Sequence, residues 1–251
     1  MTSAPHPQPS PVAQLLAAQV DADPGRPLVT WYDQADGARV ELSVATTANW
    51  VAKTAGLLRD VLDAGPRSPV SVDLPAHWQS TVWVLACWTL GAVLVPAGSA
   101  VLDVAVVGPN VVDGDVPDAA EVVATTLHPL GARFIEPLPV GVTDFGAEVL
   151  AMPDVFTASA AVPADALAYA DPARAVTQAQ LLELAEARAT ALGLNRGGRL
   201  LSSTDPATLE GALTTVLAPL VMGGSLVLVS NPDPGQLDDL AAQEQVDVRA
   251  S

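Results

Sequence analysis

Residues 70–95 read VSVDLPAHWQSTVWVLACWTLGAVLV, and the fold turns on how they are parsed. Val70 to Leu74 is a short apolar run with the character of a strand. Gln79 to Leu90 carries no charge and is apolar on almost every side, which predicts a helix buried all round. Gly91 breaks it, and Ala92 to Val95 is a second apolar run. Strand, helix and strand with no polar face on the strands form a parallel βαβ unit inside a covered sheet.

On the N-terminal side, Leu28 to Tyr32 and Arg39 to Leu42 alternate around Asp36-Gly37. That dipeptide predicts a β-hairpin, because Gly accepts a positive φ. A helix follows from about Ala45 to Leu62, with Val51, Ala55, Leu58 and Leu62 on one face, and Gly65-Pro66 ends it.

On the C-terminal side the unit recurs. Thr177 with Gln180 three residues on has the form of a capping box, opening a helix to about Leu192 that Gly193 closes. Arg199 to Ser203 is a strand. Asp205-Pro206 opens the next helix, with Asp as N-cap and Pro at the first helical position. It reaches about Val221, Gly223-Gly224 breaks it, and Ser225 to Val229 is a strand. The pattern returns after roughly 130 residues, too long a period for a solenoid. The fold class is α/β: two similar helix-strand-helix-strand halves, about 21–164 and 165–251, forming mostly parallel sheets covered by helices, with an N-terminal β-hairpin.

Between the units, Val104 to Val107 reads as a strand ended by Gly108-Pro109. Val111 to Asp118 is acidic and turn-rich, Glu121 to Thr126 is another strand, and Ala151 to Ala164 is a surface connection rich in small residues. Residues 1–20 read as a partly disordered lead. Its proline-rich start, Met1 to Pro11, has no basic residue followed by an apolar core and so is no signal peptide.

Composition narrows the function classes. Half of the 251 residues are hydrophobic, ample for a packed core. The net charge is -17 with a single lysine, Lys53, which makes nucleic acid and anionic membrane poor partners. The apolar run Val82 to Val95 is short for a membrane span and contains Gly91. The lone cysteine, Cys87, lies in that run and reads as a buried structural thiol in a reducing, cytoplasmic compartment. His6, His77 and His128 have no metal-ligand spacing, so no metal site is expected. No Gly-x-Ser-x-Gly elbow supports a Ser-His-Asp arrangement.

Three stretches together resemble a known family. The hairpin, the helix Ala45 to Leu62, the strand reaching Leu74-Pro75 and the run from Trp88 to Pro96 resemble the start of adenylate-forming (AMP-binding) enzymes, the superfamily of acyl-CoA synthetases, luciferases and peptide-synthetase adenylation domains. Ala175 to Leu182 resembles their helix after the phosphate loop, and Leu217 to Val229 their Leu-Ala-Pro-Leu segment followed by Gly-Gly and an apolar strand. The resemblance runs from about Leu28 to Val248 and covers only the first half of such an enzyme.

It implies a Ser/Thr/Gly-rich loop ending in lysine, whose backbone donors cradle ATP phosphates. Here only Ala170-Asp171-Pro172-Ala173-Arg174-Ala175 stands between a strand at Ala166 to Tyr169 and a helix resuming at Val176. No glycine or lysine lies between Ala147 and Leu192. Pro172 removes a donor and Asp171 repels phosphate. Arg174 could contact a phosphate as a lone cation or stand as a surface arginine. The family's aromatic or His-bearing segment would fall at Ala207-Thr208, where neither residue matches. Its adenine and ribose motifs and catalytic lysine would lie beyond Ser251.

No catalytic residue is therefore expected. The cofactor-binding candidates are Tyr169, Asp171 and Arg174 in the degenerate loop, and Ser203, Thr204 and Asp205 at a strand's carboxyl end, where open α/β sheets bind ligands. Thr204 and Asp205 could equally cap the next helix. The expectation is a non-catalytic adenylation-like module binding a small acyl or nucleotide ligand or a protein partner. It would require no cofactor, with weak ATP or AMP binding at most. The alternative is one half of a split acyl-adenylating ligase completed by another chain.

Overall fold

The computed structural model describes residues 7–250. Chain order is α1 (Pro11–Ala22), β1 (Pro27–Asp33), β2 (Arg39–Ser43), α2 (Val44–Asp60), β3 (Pro69–Asp73), α3 (Trp78–Leu90), β4 (Val93–Val95) and β5 (Val104–Val107). A 3-10 turn at Pro109–Asp113 leads to β6 (Glu121–Ala124), β7 (Val142–Asp144) and one-turn α4 (Phe145–Glu148). Then come β8 (Leu167–Ala170), β9 (Ala175–Thr177), α5 (Gln178–Leu192) and β10 (Arg199–Ser202). A composite helix follows: α6 (Leu209–Gly211), a π-helical stretch (Ala212–Leu217) and α7 (Ala218–Val221). The chain closes with β11 (Ser225–Ser230), α8 (Leu237–Gln243) and β12 (Val248–Ala250).

Two sheets result. One has the order β12-β10-β11-β1-β2, the other β7-β6-β5-β3-β4-β8-β9. Read against each other, β5-β3-β4-β8-β9 repeats the five-stranded order strand for strand. In each, a βαβ pair is flanked on one side by the next parallel strand and on the other by an antiparallel hairpin. The hairpins are exchanged. β1 pairs in parallel with β11 from Val29↔Leu226 to Asp33↔Ser230, while β8 joins β4 through Leu94↔Tyr169. Each sheet therefore draws strands from both sides of residue 164, and neither can be completed without the other end of the chain.

Helices α1, α2, α3, α5 and the composite helix touch one another and lie between the sheets. Every residue of α3 is buried, including Trp78, Trp83 and Trp88, as its uncharged sequence requires. Gly91 caps it at φ +86°, and a Cβ there would sit 2.8 Å from Val162 Cγ2, so only glycine fits. The outer face of the five-stranded sheet is covered by α8, where Leu237, Leu240 and Ala241 pack with Leu201, Val227 and Val229. Among the described residues, no helix is long and apolar enough to cross a membrane.

The structure departs from the sequence reading in four places. The expected disordered lead falls partly on residues 1–6, outside the described residues, but from Ser10 onward it is ordered. Ser10 Oγ accepts from Ala13 N at 3.1 Å, Pro11 sits at the first helical position, and Val12 and Leu16 are buried. The helix expected to resume at Val176 is preceded by β9, and its capping box is present, with Thr177 and Gln180 bonded reciprocally. Asp205 is not a helix N-cap. Its Oδ1 closes a turn onto Ala207 N at 2.8 Å, and the helix opens at Leu209 under the Thr208 hydroxyl, which takes Gly211 N at 3.0 Å. The Ala151 to Ala164 connection is not wholly superficial, since Val162 is buried against Gly91.

Candidate functional site

The first candidate set lies in the turn between β8 and β9. Asp171 N donates to the Arg174 carbonyl at 2.9 Å, which fixes a tight hairpin. The Asp171 side chain then folds back over the turn. Its Oδ1 accepts from Ala173 N at 2.7 Å and Arg174 N at 2.8 Å, and its Oδ2 accepts from the Tyr169 hydroxyl at 2.9 Å. These bonds, the Ala173 amide first, hold the Asp171 carboxyl below the usual range. Burial and the neighbouring Asp171 push the Tyr169 phenol up to about 12. Arg174 lies 3.5 Å from Asp171 and 3.0 Å from Glu210, which also pairs with Arg188.

Tyr169, Asp171 and Arg174 thus come together, but as a closed circuit. The amides a phosphate would need already serve a carboxylate, Arg174 is held between two acids, and the neighbouring Arg188 is paired with Glu210. The residues do not fit a polyphosphate, and no step through ATP is derived from them.

The second set lies at the carboxyl end of β10. Ser202 Oγ lies 3.0 Å from Thr204 Oγ1 and accepts from Thr204 N at 3.1 Å. Burial, with the charge of Asp73 added, pushes the Asp205 carboxyl up. Ser203 alone of this set lines a cavity of about 290 Å3, together with Trp31, Asp33, His77, Ser230 and Asn231. Among the described residues no hydrogen bond joins the two candidate sets; outside its own turn Arg174 reaches Glu210, on α6.

This cavity gathers the carboxyl ends of β1, β10 and β11 against the segment after β3, where ligands of open α/β sheets bind. Trp31 Nε1 donates to Ser230 Oγ at 2.7 Å and to the Ala76 carbonyl at 3.2 Å. Asn231 Nδ2 bridges both oxygens of Asp33 at 2.9 and 3.1 Å. His77, 2% exposed, caps α3 by accepting Gln79 N on Nδ1 at 3.1 Å. Burial pushes its imidazole down to about 3, so it is neutral. With Nδ1 an acceptor, Nε2 must carry the proton; it faces the Leu127 backbone but makes no hydrogen bond of good geometry among the described residues. The sequence marks His77 neither as a metal ligand nor as a member of a Ser-His-Asp arrangement. The overlooked signal was its place one residue before a fully apolar helix, where a side-chain acceptor is wanted.

No known family profile matches the chain. It is 39% identical over 237 residues, 92% of its own length and 94% of the relative's, to a protein of Mycobacterium tuberculosis described as a TIGR03089 family protein. In structure it is similar to an acyl-CoA synthetase of Brucella canis, with a TM-score of 0.78 at 17% identity over 98% of this chain. A fatty acyl CoA synthetase of Mycobacterium tuberculosis follows at 0.72 and 12% over 94%. The chain spans 48% of each of those two solved structures. At such identities the likeness is one of fold: about half of an acyl-CoA synthetase.

Proposed function

The chain belongs to the TIGR03089 family, and from that premise we propose that it is a non-catalytic relative of adenylate-forming enzymes, a cytoplasmic module that binds a small acyl or nucleotide ligand or a protein partner. The observation that carries this reading is the Asp171 carboxylate, which occupies the turn amides where the fold's catalytic members need open donors. Adenylyl transfer requires positioned charge stabilisation worth roughly 8 kcal/mol or more. A turn closed on its own acid offers none of it. Ser203, at the mouth of the cavity that His77 and Trp31 line, is the contact proposed for a retained ligand.

Calorimetric titration of the purified chain with magnesium ATP tests the reading. The expected dissociation constant is millimolar or weaker, about 4 kcal/mol of binding free energy. Micromolar binding would overturn it. The chain's span of about half a synthetase favours one second reading, a split ligase completed by another chain. That reading requires acyl-adenylate to form only when a partner chain is added.

A further inference from the structure

The two sheets repeat each other, and the repeat exposes a difference. Leu200 pairs with Leu226 and Val248, as Val70 pairs with Leu94 and Val104. In that register β10 corresponds to β3 and β12 to β5. The crossover from β11 to β12 occupies residues 231–247 and carries α8, whose Leu240 packs on Leu201. The corresponding crossover from β4 to β5 occupies residues 96–103 and has no helix. The outer face of the seven-stranded sheet is therefore left to loops, and its small cluster of Leu102, Ala105 and Val122 draws in no helical residue. A parallel sheet normally has both faces covered.

Where α8's counterpart would lie there is a cavity of about 420 Å3. Its floor is Leu102, Ala105 and Val107, and Asp73, Asp115 and Asp118 stand around it. One register step from Val70 puts Ser71 where the other sheet has Leu201. Ser71 lines the cavity, is 3% exposed, and its hydroxyl makes no hydrogen bond among the described residues. The hydroxyl opens on the cavity, where a bound donor or acceptor can pair with it. The apolar residue that would seal this face has become a hydroxyl beside carboxylates.

We propose that this cavity binds a small organic ammonium, with its aliphatic body on the Leu102–Ala105–Val107 floor and its cationic head between Asp73 and Asp115, within reach of Ser71. A metal ion fits less well, since among the described residues no three acidic, His or Cys side chains converge as a metal would need. The acidic surface of the whole chain would draw such a cation in.

The experiment is calorimetry at physiological salt on the full chain, with 1,4-diaminobutane and butylammonium as probes and 1-butanol and magnesium chloride as controls. The ammonium probes are expected to bind saturably and the controls not. Asp73→Asn should weaken binding about tenfold, the usual worth of one charge-assisted hydrogen bond. Ser71→Leu should fill the cavity and abolish binding, with an unchanged or raised Tm. Thermal unfolding of each variant distinguishes lost binding from lost folding. Equal binding of butanol and butylammonium, tighter binding of magnesium, an unaffected Asp73→Asn in a folded protein, or no saturable signal would each overturn the proposal.

Discussion

Trp88 is where the exchanged hairpin is latched, and replacing it tests the architecture. It lies fully buried in α3, and its Nε1 donates to the Ala168 carbonyl of β8 at 2.9 Å. Its own carbonyl accepts from Gln178 Nε2 at 3.2 Å, so the same residue also holds the start of α5. Trp88→Phe keeps most of the ring but strands the Ala168 carbonyl, for an expected loss of about 2 kcal/mol. Trp88→Ala adds a cavity, for a total of about 4 kcal/mol. Set against a typical stability of 5 to 15 kcal/mol, the second change removes a large share. Urea unfolding followed by both fluorescence and far-ultraviolet circular dichroism is the assay. Because each sheet holds a hairpin from the other end of the chain, both probes should report one coincident transition, shifted in midpoint with the slope preserved. Separate transitions, or a loss below about 1 kcal/mol in Trp88→Ala, would refute the exchanged arrangement as a source of cooperativity.

Two further outcomes follow from buried groups in or beside α3. His77 is held neutral down to about pH 3 in the folded chain but takes a proton near pH 6.5 when unfolded. The unfolded state therefore binds more protons between those values, so stability should fall by up to about 1.4 kcal/mol per pH unit as pH drops from about 6.5 toward 3. His77→Asn keeps a capping acceptor and should flatten that part of the urea-midpoint profile; an unchanged slope would place the titration elsewhere. Burial pushes the Cys87 thiol well above its ordinary value, so a thiol reagent should label it only at the rate of global unfolding. Labelling within seconds of mixing under native conditions would contradict the burial.

Local signals carried much of the fold. Asp36-Gly37 sits in the β1–β2 connection, with Gly37 at φ +78°, because a two-residue cue decides a turn. Thr177 and Gln180 formed their box for the same reason: both partners are three residues apart. The uncharged run of α3 could only be buried. What the residues did not disclose is non-local. Nothing in Leu28 to Tyr32 says that its partner is β11 and not β4, since both are equally apolar parallel strands. α1 was legible and missed, because Ser10-Pro11 ahead of Val12 and Leu16 is a helix start, overshadowed by the prolines before it. At Asp205-Pro206 two cap signals competed. Asp205 spends its carboxylate on Ala207 N, and Thr208 takes the Gly211 amide as the cap. In the candidate site, the lack of glycine and lysine could be read directly. That Asp171 folds back onto its own turn needed coordinates.

We propose that this chain keeps the adenylating fold without its chemistry, and ATP–pyrophosphate exchange measures that most directly. The purified single chain, given magnesium ATP, labelled pyrophosphate and a panel of aliphatic and aromatic carboxylates, should show no exchange above background. Asp171→Gly should not change this, because freeing the turn amides supplies neither the missing lysine nor a released Arg174, which Glu210 still holds. Carboxylate-dependent exchange by the single chain would contradict the account outright.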